Sequence, residues 1–288
     1  MLLAQAAAGG IPVLHAIVLG ITQGLSEFLP ISSSGHLILV PWLFGWEELT
    51  GEANADLNKT FDVALHVGTI LGSLLYFRKD LLRFAGAALT SLRTRSVTTT
   101  DQRMAWLLFL SAVPGAIVGA GLEGFINERL GQIWLIAVML IVFGLVLLVA
   151  DRLPGTLKES DYGPRQALGM GLAQAAALSP GVSRSGITIT VGRFLGFDRN
   201  AAARLSFLMS MPITGGAALY KGADLAVDGL PPGTAPAFFW GIVASGVTGL
   251  AAVWLVLRVV RTRSFLPFVV YRVAAGLAVL ALLASPLR

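Results

Sequence analysis

The chain has 288 residues, of which 55% are hydrophobic and only 13% charged, and its mean hydropathy is +0.76. Soluble domains carry roughly 25% charged residues, so a water-soluble globule is excluded and an all-α polytopic membrane protein is expected. The absence of cysteine removes disulfides and thiolate metal sites, and the net charge of +5 does not point to nucleic acid, because the basic residues gather in loops on one side.

No Lys or Arg occurs in the first ten residues, so a cleaved signal peptide is not expected. Residues 11–28 are apolar enough for a helix, yet they contain Gln23, Ser26 and Glu27 and run into Pro30. The next apolar piece, 37–45, is far too short to cross the hydrocarbon. Together they predict a re-entrant hairpin over 11–45, since interrupted backbone survives at membrane depth only under a cover of protein or water. An acidic loop with Glu47, Glu48, Glu52 and Asp56 follows.

Spans are expected at 61–77, 104–122 and 133–150, the first carrying Asp62 and His66 near its start. Between the first two lies a basic connector, 78–103. Its apolar insert, 81–92, either lies in the interface or extends a neighbouring helix. A short turn around Asn127, Glu128 and Arg129 joins the other two. Residues 152–165, with Pro154, Gly155 and Pro164, form the linker that closes the first half.

The second half repeats the plan. A hairpin over 166–197 is broken at 180–186, and spans are expected at 201–220, 237–257 and 265–284. Lys221, Asp224, Asp228 and a Pro-Pro-Gly turn separate the first two of these spans. One hairpin plus three crossings is an odd count, so 1–151 and 166–288 are expected to be inverted repeats. The whole would have six transmembrane helices and two re-entrant hairpins. With the N-terminus outside, fifteen Lys and Arg fall on inner segments and four on outer ones, which predicts a cytoplasmic linker and a first hairpin entering from outside.

The two hairpins share a pattern. Residues 20–35 laid on 171–186 match at Gly20/Gly171, Gln23/Gln174, Ser32/Ser183, Ser34/Ser185 and Gly35/Gly186. Arg184 stands out, because a guanidinium in apolar sequence demands an anionic partner or water. Ser183, Ser185 and Gly186 offer hydroxyls and close backbone approach, and the amides opening the following half-helix suit phosphate oxygens. The plainer alternative is an ion pair with Glu27 that only locks the hairpins. Ser32, Ser33, Ser34 and Gly35 have the same anion-cradling character, against the alternative of small residues packing helices. That packing role is assigned to Gly68, Gly72, Gly115 and Gly119.

Gln23 and Glu27, four residues apart, share a helix face and could hold a hard divalent ion such as Mg²⁺ through oxygen, or Glu27 could carry a proton. His36 can exchange a proton near neutral pH or attack phosphorus. Asp62 and His66 are read as solvated, structural or supporting, and Arg272 as a structural residue that snorkels toward the inner surface.

Residues 20–36, together with Pro-Gly-Val-Ser-Arg-Ser-Gly-Ile-Thr at 180–188, resemble the two signature segments of the undecaprenyl-diphosphate phosphatases, the bacitracin-resistance family. Lys59-Thr60-Phe61 and residues 265–272 are similar to that family as well. The resemblance implies hydrolysis of polyprenyl diphosphate to the monophosphate, which recycles the lipid carrier of cell-wall synthesis and confers bacitracin resistance. It also implies help from Mg²⁺ or Ca²⁺ and an active site open to the periplasmic side of the bacterial inner membrane; a homodimer is a candidate assembly that the sequence does not decide. By position, Glu27 matches the second acidic residue of a paired motif, Ser33 and His36 the catalytic serine and histidine, and Arg184 the phosphate-binding arginine. Gln23 departs from the glutamate found in many members, which weakens schemes needing two carboxylates on the metal. Ser33, His36 and water all stand as nucleophiles. The competing class is a transporter or flippase of a lipid phosphate or small anion, built on the same inverted repeat.

Overall fold

A computed structural model of the chain describes residues 10–50, 55–230 and 232–286, apart from the side chains of 122–128 and 220–228. Residues 1–9, Glu52, Pro231 and Arg288, and the side chains of Asn127, Glu128, Lys221, Asp224 and Asp228, lie outside the described residues. Among the described residues every regular element is helical. The first broken pair is α1 (Val13–Phe28) and α2 (Ser33–Phe44), followed by the single turn α3 (Glu47–Thr50). Then come α4 (Ala55–Thr94), α5 (Thr100–Leu130) and α6 (Ile133–Arg152). The second broken pair is α7 (Pro164–Ala176) and α8 (Arg184–Phe194), before α9 (Arg199–Asp228), α10 (Ala235–Val259) and α11 (Leu266–Leu283).

The chain is a polytopic membrane protein. Among the described residues five helices are long and apolar enough to cross a bilayer, namely α4, α5, α6, α10 and α11. The expected span at 201–220 lies inside α9, whose first turns carry Arg199, Asn200 and Arg204 and which is not among the five. Of the two alternatives for 81–92 the structure takes the helix extension, and one boundary differs from expectation. The helix containing 61–77 runs on through 81–92 to Thr94, because Leu, Ala and Arg favour helix and no proline interrupts them. At 40 residues it is about 60 Å long, roughly twice the hydrocarbon thickness. The turn expected around Asn127, Glu128 and Arg129 is instead the last part of α5, which ends at Leu130 ahead of Gly131.

Small residues let the helices touch backbone to backbone. α1 packs on α10 and α10 on α4, while α7 packs on α5, α6 on α11 and α4 on α9. A Cβ on Gly24 would stand 2.5 Å from the Ser245 carbonyl oxygen, so a residue larger than glycine would force α1 off α10. Gly68 and Gly72 face the Ile242 and Gly246 carbonyls in the same way, packing as expected of them.

The linker is pinned beside the start of α9. Leu157 N–H donates to Gly196 O at 3.0 Å and Asp198 N–H to Leu157 O at 2.9 Å. Asp198 caps α9: its Oδ1 accepts the Ala201 amide at 2.7 Å, and its Oδ2 meets Lys158 Nζ at 2.6 Å. Burial alone would raise this carboxyl, but the amide and the ammonium outweigh it, and its pKa is lowered. The stabilisation is therefore present above the ordinary carboxylate pKa and is lost as pH falls through the depressed folded value. Asp198→Ala is expected to cost about 1 kcal/mol near neutral pH and much less in acid, read as a loss of melting temperature relative to wild type at the two pH values.

Candidate active site

Two sharp breaks come together in the middle of the fold, one between α1 and α2 and the other between α7 and α8. Ser32 and Ser183 are the residues that turn the chain at each, with φ of 78° and 74°. Serine rarely adopts that region, and such strain gathers where the surroundings over-determine it. Each side chain offsets part of the cost by capping its half-helix: Ser32 Oγ accepts from Gly35 N at 3.4 Å, and Ser183 Oγ accepts from Gly186 N at 3.1 Å. The shared serine–glycine pattern is thus a pair of helix starts.

The breaks are also bonded to each other. Ser32 Oγ accepts the Gly181 amide at 3.0 Å, and Ser185 Oγ donates to Leu29 O at 3.1 Å. The contact that matters most is ionic: Arg184, opening α8, pairs through Nη2 with Glu27 Oε1 in the last turn of α1. Arg184 Nη1 also donates to Thr214 Oγ1 of α9 at 2.7 Å.

Around Glu27 the other groups gather at short range. Ser33 Oγ donates to Glu27 Oε2 at 2.6 Å, and Gln23 Nε2 donates to the same oxygen at 3.1 Å. His66 Nε2 stands 3.8 Å from it, with His66 Nδ1 bonded to Asp62 O at 2.7 Å. His66 therefore belongs to this cluster rather than to a solvated span end; its placement four residues after Asp62 on one face was the available signal. His36 is buried on α2, its Nδ1 bonded to Ser32 O and its Nε2 to Tyr271 Oη, each at 2.7 Å. Tyr271 stacks on the imidazole with ring centroids 5.6 Å apart. Since a carbonyl can only accept, Nδ1 carries the proton and Nε2 accepts from the tyrosine. Ser34 is partly exposed on the first turn of α2. A Cβ at Gly35 would crowd Ser32 Oγ, and one at Gly186 would crowd Arg272 Nη1 and Ser183.

Arg272 does not snorkel. It is fully buried and forks between the two breaks, donating to Pro30 O at 3.1 Å, Gly181 O at 2.9 Å and Val182 O at 3.1 Å. Two more bonds reach Leu140 O at 3.0 Å and Met139 O at 3.3 Å on α6. Carbonyls freed by broken helices are the acceptors a buried guanidinium needs, so a route to the surface is unnecessary.

A divalent cation has a partial donor set here. No three His, Asp or Glu side chains form a ligand cluster among the described residues. Gln23 Oε1, however, is buried without a partner beside the Glu27 carboxylate. One carboxylate and one orphaned amide oxygen suit a hard ion that takes its remaining ligands from phosphate and water. The second glutamine of the repeated pattern, Gln174, donates its Nε2 to Ser111 O at 3.4 Å, and its Oε1 is likewise buried without a partner.

The cluster thus offers a fork of positive charge, a hydroxyl on a carboxylate and the imidazole of His66, with a recess lined by Glu27, Arg184, Ser206 and Ser210 against the ion pair; His36 lies on α2 against Ser32 and Tyr271. Such groups serve to grip a phosphoryl group and move a proton beside it. Comparison with known proteins agrees. The family description "Bacitracin resistance protein BacA" matches residues 16–278. The chain is 48% identical over 273 residues to a protein of Geobacter sulfurreducens named undecaprenyl-diphosphatase, covering 94% of this chain and 98% of that one. Proteins of the same name from Pelobacter propionicus and a Nocardioides species are 47% and 46% identical over 274 residues, each covering 94% of this chain and 97% of the relative.

Proposed function

Since the chain belongs to the bacitracin resistance protein BacA family, we propose that it is an undecaprenyl-diphosphatase whose chemistry is carried out by the groups around Glu27. The observation that carries the assignment of residues is the convergence of Arg184, Ser33 and Gln23 on one carboxylate at the meeting of the two breaks. Arg184, turned from Glu27 to the substrate, grips the terminal phosphate and neutralises charge in the transition state. Ser33 Oγ attacks the terminal phosphorus as its proton passes to Glu27 Oε2, and the bond to the bridging oxygen breaks, releasing prenyl monophosphate. Glu27 hands that proton to the departing monophosphate; water then attacks the phosphoserine as its proton passes to the again ionised Glu27, and Glu27 returns the proton to Ser33 Oγ as the Oγ–P bond breaks and inorganic phosphate leaves. The 2.6 Å bond from Ser33 to Glu27 favours this nucleophile, because both ring nitrogens of His36 are engaged. The amides opening α2 and α8 face the same region and supply further donors.

Glu27 and Gln23 would hold a Mg²⁺ or Ca²⁺ ion, which when bound screens the charge of the diphosphate. The prenyl tail stays in the lipid. The excess of basic residues on the linker side supports an inner-membrane orientation with the site reached from the periplasm, and the two halves are read as inverted repeats.

The test is release of inorganic phosphate from polyprenyl diphosphate by the purified protein. Activity is expected to fall by about two orders of magnitude or more on chelation and to return with Mg²⁺ or Ca²⁺. Flux of the lipid phosphate in proteoliposomes with no phosphate released would overturn the enzyme. Rates indifferent to chelator would remove the cation alone. Trapped phosphoserine at Ser33 identifies the nucleophile, and trapped phosphohistidine at His36 would refute it.

A further inference from the structure

A second polar cavity, of about 340 Å³, opens where the ends of α6 and α8 meet the start of α9 and the α10–α11 loop. Arg184 and Arg193 stand at opposite ends of α8, about 14 Å apart along its axis, so this cavity is separate from the Glu27 site. Its walls bring together Arg152, Arg193, Arg199 and Arg261 with only two carboxylates, Asp151 and Asp198.

Both carboxylates are already committed. Asp151 Oδ1 accepts from Arg199 Nε at 2.5 Å, and its Oδ2 accepts from the Phe265 amide at 3.0 Å. Asp198 is held by the Ala201 amide and Lys158. Arg152 and Arg261 are exposed, and neither forms an ion pair with a carboxylate among the described residues. Arg193 is 4% exposed, and its Nη groups bind the carbonyls of Phe197, Asp151 and Leu153, but its Nε has no partner. Arg272 shows the contrast: it is just as deeply buried, but its Nε does find a carbonyl. A locking arginine satisfies its buried donors; Arg193 keeps one in reserve beside two unpaired guanidinium groups. The amino end of the 30-residue helix α9 adds amides and a positive dipole at the same wall.

We propose that this cavity binds a phosphate group, as inorganic phosphate or as the phosphate of an anionic phospholipid headgroup. Guanidinium forks match the oxygens of a tetrahedral phosphate in geometry and charge, and the volume holds a phosphate with a small substituent.

The experiment uses full-length Arg184→Ala protein in detergent, so that the Glu27 site is disarmed. It is titrated calorimetrically with inorganic phosphate and, separately, with dihexanoyl phosphatidic acid; dihexanoyl phosphatidylcholine serves as the zwitterionic control. Saturable binding with Kd below ~1 mM is expected for at least one anion, and binding about tenfold weaker when Arg152→Ala and Arg261→Ala are added. Binding of both anions assigns free phosphate; binding of phosphatidic acid alone assigns a lipid headgroup. Unchanged affinity in the added variant, or no binding of either anion, overturns the proposal. Folding is checked by a melting temperature within about 2 °C of the parent. Should that variant melt early, Asn200→Asp, which sets a carboxylate on the cavity wall, is expected to weaken binding in its place, and unchanged binding there refutes the site equally.

Discussion

Arg184→Ala is expected to slow phosphate release by about 10³-fold while the protein still inserts and folds. A positively charged fork on a transferring phosphoryl group contributes roughly 10³ to 10⁵ in rate, and a single lost oxyanion donor costs roughly 10² to 10³. Arg184→Lys keeps the charge but not the bidentate geometry, and should recover only part of the rate. The ion pair with Glu27 suggests the rival role, a lock between hairpins, and one double variant separates the two roles. Arg184→Ala combined with Glu27→Gln leaves no unpaired buried charge, so a lock would regain stability and keep activity. A catalytic pair would regain stability and remain inactive. The measurements are initial rates of phosphate release and melting temperatures for wild type, the single variants and the double variant.

The largest stability effect belongs to Arg272. Arg272→Met fills similar space but leaves the carbonyls of Pro30, Gly181 and Val182, which lie outside helices, without their donor. Each orphaned buried carbonyl costs about 1–3 kcal/mol, so even after the relief of desolvating no guanidinium a loss of roughly 4 kcal/mol is expected. That is a large part of a typical folding stability of about 5–15 kcal/mol, and it should lower the melting temperature by about 10 °C. Lysine at 272 should not rescue it, since one ammonium cannot reach α6 and both breaks together. A methionine variant melting within about 2 °C of wild type would show that the fork is dispensable.

Sequence alone displays the ingredients of the site but not their assembly. Glu27 and Arg184 are visible because an ionisable group in apolar sequence is costly enough to be conspicuous wherever it lies. The breaks are visible because Pro30 and Pro180 stand beside serine and glycine. Which groups face one another is not legible. Tyr271 reaches His36 across 235 positions, and no spacing rule connects them. His66 is ambiguous because hydropathy cannot say that its helix turns toward Glu27. Arg272 misleads for a related reason: a guanidinium inside a span can stretch toward water or find carbonyls, and only the location of the broken backbone decides. The lengths of α4 and α5 are hidden too, since hydropathy marks the part of a helix that meets lipid and not the part that continues beyond it.

The fork at Arg272 has a mechanical corollary. It ties α6, the first break and the second break to one rigid planar group, so an alternating-access cycle that rocks one half against the other would have to strip five hydrogen bonds from a buried cation on every stroke. A scaffold riveted at its centre suits a stationary reaction chamber better than a moving carrier. The displacement in each turnover then falls to the lipid, whose headgroup must come up to a clamp that does not travel.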